Sequence, residues 1–155
     1  MKFSQSLDLA LHSLMFIACE SSDKPVMIKD LAKMLNASES YLARIMLWLA
    51  KSGILKSIRG KRGGFTFKIP PDKITIADVV VAIDTDAGQF ECMGDDRHCN
   101  KSECAVVQLF AEARGEMLRV LRRMTIADMA AMRNASPLGC GALVPVSEIK
   151  AINTN

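Results

Sequence analysis

Residues 28–69 read IKDLAKMLNASESYLARIMLWLAKSGILKSIRGKRGGFTFKI, and two changes of rhythm inside this stretch decide the fold. Ile28, Leu31, Ala32 and Leu35 make a short amphipathic helix, and Asn36-Ala37 makes a tight turn. Ser38 then stands where an N-cap belongs, ahead of a helix that turns Leu42, Ile45 and Leu49 inward and stops at Gly53. Two short helices joined this closely are a helix-turn-helix. From Ile54 the period drops to two: Ile54 to Arg59 and Phe65 to Ile69 read as strands, with Phe65, Phe67 and Ile69 alternating with Thr66 and Lys68. Between the strands lies Arg59-Gly60-Lys61-Arg62-Gly63-Gly64, a basic glycine-rich tip whose glycines allow a tight turn and close approach to a phosphate backbone. Directly after a helix-turn-helix, such a hairpin is a wing.

The second of the two helices is where side chains reach base edges and phosphates. Ser38, Ser40, Tyr41 and Arg44 lie near its start and off the apolar stripe; Arg44 suits a bidentate guanine contact or a phosphate clamp. Arg59, Lys61 and Arg62 supply charge from the wing. Trp48 reads as packing between helices rather than as a DNA contact. Charge asymmetry agrees with a polyanion partner. Residues 1–70 hold eleven Lys and Arg against five Asp and Glu, a surplus of +6, whereas residues 71–155 come to −3.

Upstream, Leu7, Leu11, Leu14 and Ala18 recur at four-three-four spacing, an amphipathic first helix, with Asp8, His12, Met15 and Cys19 on the neighbouring face. Its apolar run is broken by Asp8 and His12, which excludes a signal peptide or membrane span and leaves a cytoplasmic protein as the expectation. Downstream, Thr75 and Asp78 have capping-box spacing at the head of a helix over Ile76 to Ile83. Val106, Phe110, Ala113, Met117, Val120 and Met124 then form a long heptad-like seam. A small winged domain cannot cover that much apolar surface, so the helix is expected to pair with its copy in a homodimer. Ile126 to Met132 could form one more short helix. The fold expected is therefore mainly α with a small β-wing: a winged helix-turn-helix domain over 1–70, a linker and connecting helix over 71–91, a cysteine loop over 92–104, a dimerisation helix and short C-terminal helix over 105–133, and a disordered tail over 134–155.

The loop holds the unusual chemistry. Cys92, Cys99 and Cys104, spaced Cys-x6-Cys-x4-Cys, fall in one polar stretch with His98 and no apolar periodicity. Five cysteines in a chain without a secretory signal do not suggest a disulfide framework. Clustered thiols here suggest a soft metal or an iron-sulfur cluster. A structural zinc held by Cys92, Cys99, Cys104 and His98 is the alternative, giving a zinc-stabilised winged-helix repressor. An enzyme with a loop cysteine as nucleophile fits poorly, because only His12 and His98 could act as base and no oxyanion motif is evident. Cys19 reads as a small core residue, and Cys140 as a bystander thiol.

Taken together, Asp8-Leu9-Ala10-Leu11, Tyr41-Leu42-Ala43-Arg44-Ile45, Gly53-Ile54-Leu55, the stretch Arg59 to Phe65 and three cysteines before a long helix resemble the Rrf2 family of bacterial transcription regulators. The resemblance covers the chain to about residue 133 and implies a dimeric winged helix-turn-helix repressor that binds operator DNA. Within the family the chain is most similar to the nitric-oxide-sensing repressors of the NsrR type. That likeness implies a 4Fe-4S cluster held by Cys92, Cys99, Cys104 and Asp8 of the partner subunit, with His12 or His98 as other candidate ligands. The cluster would brace two DNA-reading heads and would respond to nitric oxide, redox state or iron. A 2Fe-2S cluster is the other possibility, although Val107 stands where relatives of that kind carry a histidine.

Overall fold

The computed structural model describes residues 3–20, 24–60, 63–91, 100 and 103–135. Helix α1 (Gln5–Cys19) is followed by α2 (Ile28–Leu35), α3 (Glu39–Lys51), strands β1 (Leu55–Ile58) and β2 (Gly64–Phe67), a tight helical turn at Pro71–Lys73, and helices α4 (Ile76–Ile83), α5 (Ala105–Leu121) and α6 (Ile126–Ala135). The expectation of a mainly helical winged fold is met.

Helix α1 starts at Ser4, whose hydroxyl accepts from the Leu7 amide at 3.1 Å. One apolar stripe was expected of it, yet Leu7, Leu9, Ala10, Leu14, Met15 and Ile17 are all buried. The reason is its position, since α2, α3, α4 and α6 all pack on it. Buried Ser13 is satisfied by donating to the Leu9 carbonyl at 2.7 Å.

Asn36 sits in the left-handed region (φ 49°) and turns the chain from α2 to α3. Ser38 caps α3, and Leu42, Ile45, Met46 and Leu49 face the core. Full burial of each such side chain stabilises the fold by roughly 2 kcal/mol. Trp48 departs from expectation: it is 37% exposed. It lies beside the inward face of α3 rather than on it.

The hairpin pairs Leu55 with Phe67 and Ile58 with Gly64, antiparallel. A third edge was not legible in the sequence: Val26 and Phe65 exchange two backbone hydrogen bonds, both 2.9 Å. This closeness explains Gly64, where a Cβ would lie 2.3 Å from the Val26 carbonyl oxygen. At this position glycine serves backbone packing within the fold.

Two copies of one sequence, Thr-Ile-Ala-Asp at 75–78 and 125–128, meet at the heads of α4 and α6. Thr75 and Asp78 form the expected capping box. Thr125 and Asp128 repeat its bonds at 2.8–3.1 Å. The two heads are joined back to back, with Ile76 N–H donating to the Met124 carbonyl at 3.0 Å and Ile126 N–H to the Ile74 carbonyl at 2.9 Å. Hydrogen bonds from Thr125 hold the Asp128 carboxyl below its usual range. That contribution is present above the ordinary carboxylate pKa and is lost as pH falls through the lowered value. Thr75→Ala removes a cap at this junction and is expected to destabilise the protein by about 1 kcal/mol. Thermal unfolding followed by circular dichroism should show a midpoint lower by roughly 3 °C, and an unchanged midpoint would mean this cap adds nothing to the stability of the fold.

The seam of α5 ends sooner than its pattern suggested. The helix stops at Leu121, because the chain turns there and Met124 joins the bridge to α4. Of the residues on α5 only Leu118 is buried. Cys19, expected in the core, ends α1 half-buried and is disulfide-bonded.

Candidate DNA interface and cysteine-loop site

The outward side of α3 carries Ser40, Arg44, Leu47 and Lys51, all exposed and spaced four-three-four, so that they form one row. Ser40 and Arg44 are therefore brought together as expected. Ser38 and Tyr41 have other engagements. The Ser38 hydroxyl accepts from the Tyr41 amide at 3.2 Å and lies 3.0 Å from the Ser40 hydroxyl. The Tyr41 ring is half-buried, with its hydroxyl 2.7 Å from that of Ser6 on α1. The start of α3 is thereby tied to the first helix.

On the wing, Arg59 is exposed just past β1, whereas Lys61 and Arg62 lie outside the described residues. Sequence reasoning passed over Lys56 and Lys68, both exposed on the same hairpin. The signal for Lys56 was available, since strand alternation sets it opposite buried Leu55. Arg44, Lys51, Lys56, Arg59 and Lys68 make this end of the molecule basic, which favours a polyanion.

Asp8 lies in the first turn of α1 and is exposed. Its carboxylate is 3.2 Å from His12 Nδ1, which is also 2.9 Å from the Asp8 carbonyl oxygen. Both neighbours of Nδ1 are acceptors, so a hydrogen on that nitrogen is what satisfies them. Cys104 is half-buried and occupies the N-cap of the 17-residue α5. A metal would take this sulfur as the thiolate.

Cys92, Cys99 and His98 lie outside the described residues. Among the described residues no three His, Cys, Asp or Glu side chains are gathered to hold a metal ion. The donor set fits an iron-sulfur cluster by chemistry, with soft thiolates and an outward-facing carboxylate. No described helix is long and apolar enough to cross a membrane.

Known proteins bear on this geometry. The Rrf2 family profile, described as an iron-dependent transcriptional regulator, matches residues 3–132. The transcriptional regulator NsrR of Bacillus licheniformis is 31% identical over 131 residues, spanning 83% of this chain and 92% of that protein. Protein rrf2 of Nitratidesulfovibrio vulgaris is 31% identical over 137 residues, 88% of this chain and 90% of the relative. Among solved structures, CymR, the global cysteine regulator of B. subtilis, superposes with a TM-score of 0.65 at 25% identity, covering 85% of this chain and 98% of its own. A winged reading head with a basic face, on a chain matched nearly end to end by these regulators, belongs to the Rrf2 family and is a DNA-binding transcriptional regulator, not an enzyme.

Proposed function

We propose that the chain is a dimeric cytoplasmic repressor whose operator affinity depends on an iron-sulfur cluster, 4Fe-4S, held by Cys92, Cys99, Cys104 and the carboxylate of Asp8 in the second copy. The observation that carries this reading is the placement of Cys104. The last of three thiols in one polar stretch stands at the head of α5, a fixed point on the helix from which its sulfur can serve a soft metal. The relative named NsrR supports the same reading.

Dimerisation follows from what α5 leaves uncovered. Val106 (49%), Leu109 (64%), Phe110 (45%) and Val120 (52%) are exposed along it, an apolar face of the kind that a second copy covers. A cluster, when bound, supplies iron-thiolate bonds that nitric oxide or oxidants break. The chain supplies the rest. Asp8 belongs to α1, which is tied to α3 through Ser6 and Tyr41 and to α4 through Ser4, whose amide donates to Asp84 at 2.8 Å. A restraint on α1 therefore acts on the reading head as one body. Two heads must present their α3 helices about 34 Å apart, or a near multiple, to occupy adjacent half-sites. Releasing Asp8 and the thiols lowers the population of that arrangement, and repression lifts.

The deciding experiment is anaerobic purification with iron and sulfide analysis, followed by operator titration before and after cofactor removal. Iron and sulfide present, with tighter binding in the loaded form, is the expected result. A colourless protein containing zinc and no sulfide would establish the structural-zinc alternative, and operator affinity indifferent to cofactor removal would end the sensor reading.

A further inference from the structure

The segment that runs into the cysteine loop is fastened to the helix that runs out of it. Arg114 of α5 donates from Nε to the Ala87 carbonyl at 3.0 Å and from Nη2 to the Thr85 carbonyl at 3.3 Å. These carbonyls project together because residues 84–89 are coiled. Ala87 N–H donates to Asp84 and Gln89 N–H to Asp86, both at 2.9 Å, and Gly88 takes φ 71°. One planar guanidinium thus grips two carbonyls, a geometry that the point charge of lysine cannot reproduce. One helical turn earlier, Phe110 stacks on Phe90 with ring centroids 4.4 Å apart and planes 8° from parallel. Residues 110 and 114 share a face of α5, so stack and fork act on the same short segment.

We infer that Phe110 and Arg114 are positioning residues for the cofactor, holding the chain before Cys92 against the helix headed by Cys104. This rests on the proposed cluster function. Chain geometry gives the reason. Only Glu91 stands between Phe90 and Cys92, a reach of at most about 7 Å. Cys104 and Phe110 are six steps apart, roughly 9 Å along the helix axis. With both anchors fixed on one helix, the chain up to Glu91 is held beside α5 before any iron arrives, one residue short of the first thiol. Part of the entropy of closing the loop is then already lost in the folded chain. A thiolate cage assembled on ordered backbone releases its iron slowly.

The test uses the full-length protein reconstituted anaerobically, with Arg114→Lys and Phe110→Ala compared with wild type and Phe110→Trp as the conservative rescue. Two measurements are made: the rate at which visible absorption decays under a chelator, and amide hydrogen exchange over residues 87–91 in the cofactor-depleted protein. Decay should accelerate about tenfold or more in Arg114→Lys and Phe110→Ala, the scale seen when groups supporting metal ligands are removed. Exchange should also quicken, while Phe110→Trp stays near wild type and sedimentation shows an intact dimer for Arg114→Lys, which leaves the exposed apolar face of α5 unchanged. Wild-type decay rates in both variants would overturn the inference even if exchange quickens, because the contacts would then be local only. A wild type that takes up no iron or sulfide would instead sink the proposed function, and unchanged exchange would still dispose of the clamp separately.

Discussion

Replacing Cys104 with alanine is expected to give a folded dimer that retains less than about a tenth of the wild-type visible absorption after reconstitution. Its operator affinity should match that of cofactor-depleted wild type. The side chain at this N-cap makes no capping bond to the helix it heads, so α5 loses little when the sulfur goes. Cys104→Ser sharpens the comparison. A serine at an N-cap can accept from the exposed amides of the first turn and should leave α5 at least as stable, yet a hydroxyl is a poor ligand for a soft cluster. Colour lost in both variants, with melting temperature held or raised in the serine variant, separates a ligand from a structural residue. Absorption retained in full by either variant would exclude this thiol from the site.

The reading head was legible in the sequence because its elements are local. The stripe Leu42, Ile45 and Leu49, the Ser38 cap, the Gly53 stop (φ 82°) and the alternation about Phe65 each reflect neighbours a few residues apart. What escaped depends on contacts between distant positions. Val26 pairs as a single residue with Phe65, too short a strand for any periodicity. The burial habit of aromatics assigned Trp48 to packing between helices but could not tell how far a neighbour covers it, and it is exposed. Met124 continues the seam of α5 in sequence and leaves the helix in space, because its carbonyl is taken by Ile76. Of the candidate site, the proposed ligands are legible only as residue types and spacing. The hold of Arg114 on Thr85 and Ala87 was not, since it joins positions 27 and 29 residues apart. Chemistry concentrates in short motifs, whereas the supports that place it are spread along the chain.

Arg44→Ala and Arg59→Ala should weaken operator binding in two different ways, and the difference tests the division of labour in the head. Arg44 is exposed on the outward row of α3, one turn from Ser40. If it reads a base, its loss costs about 1–3 kcal/mol per half-site and relaxes discrimination at one position, while leaving non-specific binding nearly intact. Arg59 lies at the wing, beyond the last residue of β1, where a phosphate is the natural contact. Its removal should weaken binding to all sequences alike. The slope of log affinity against log salt should fall by about 0.9 per contact, near 1.8 for a dimer losing two. Titrating each variant on operator and on random duplex at several salt concentrations yields both quantities from one set of curves. An Arg59 variant with wild-type slope would remove the wing from the interface. An Arg44 variant that loses operator and random affinity equally would make Arg44 a phosphate clamp and shift sequence reading to its neighbours on the same row, Ser40 and Leu47.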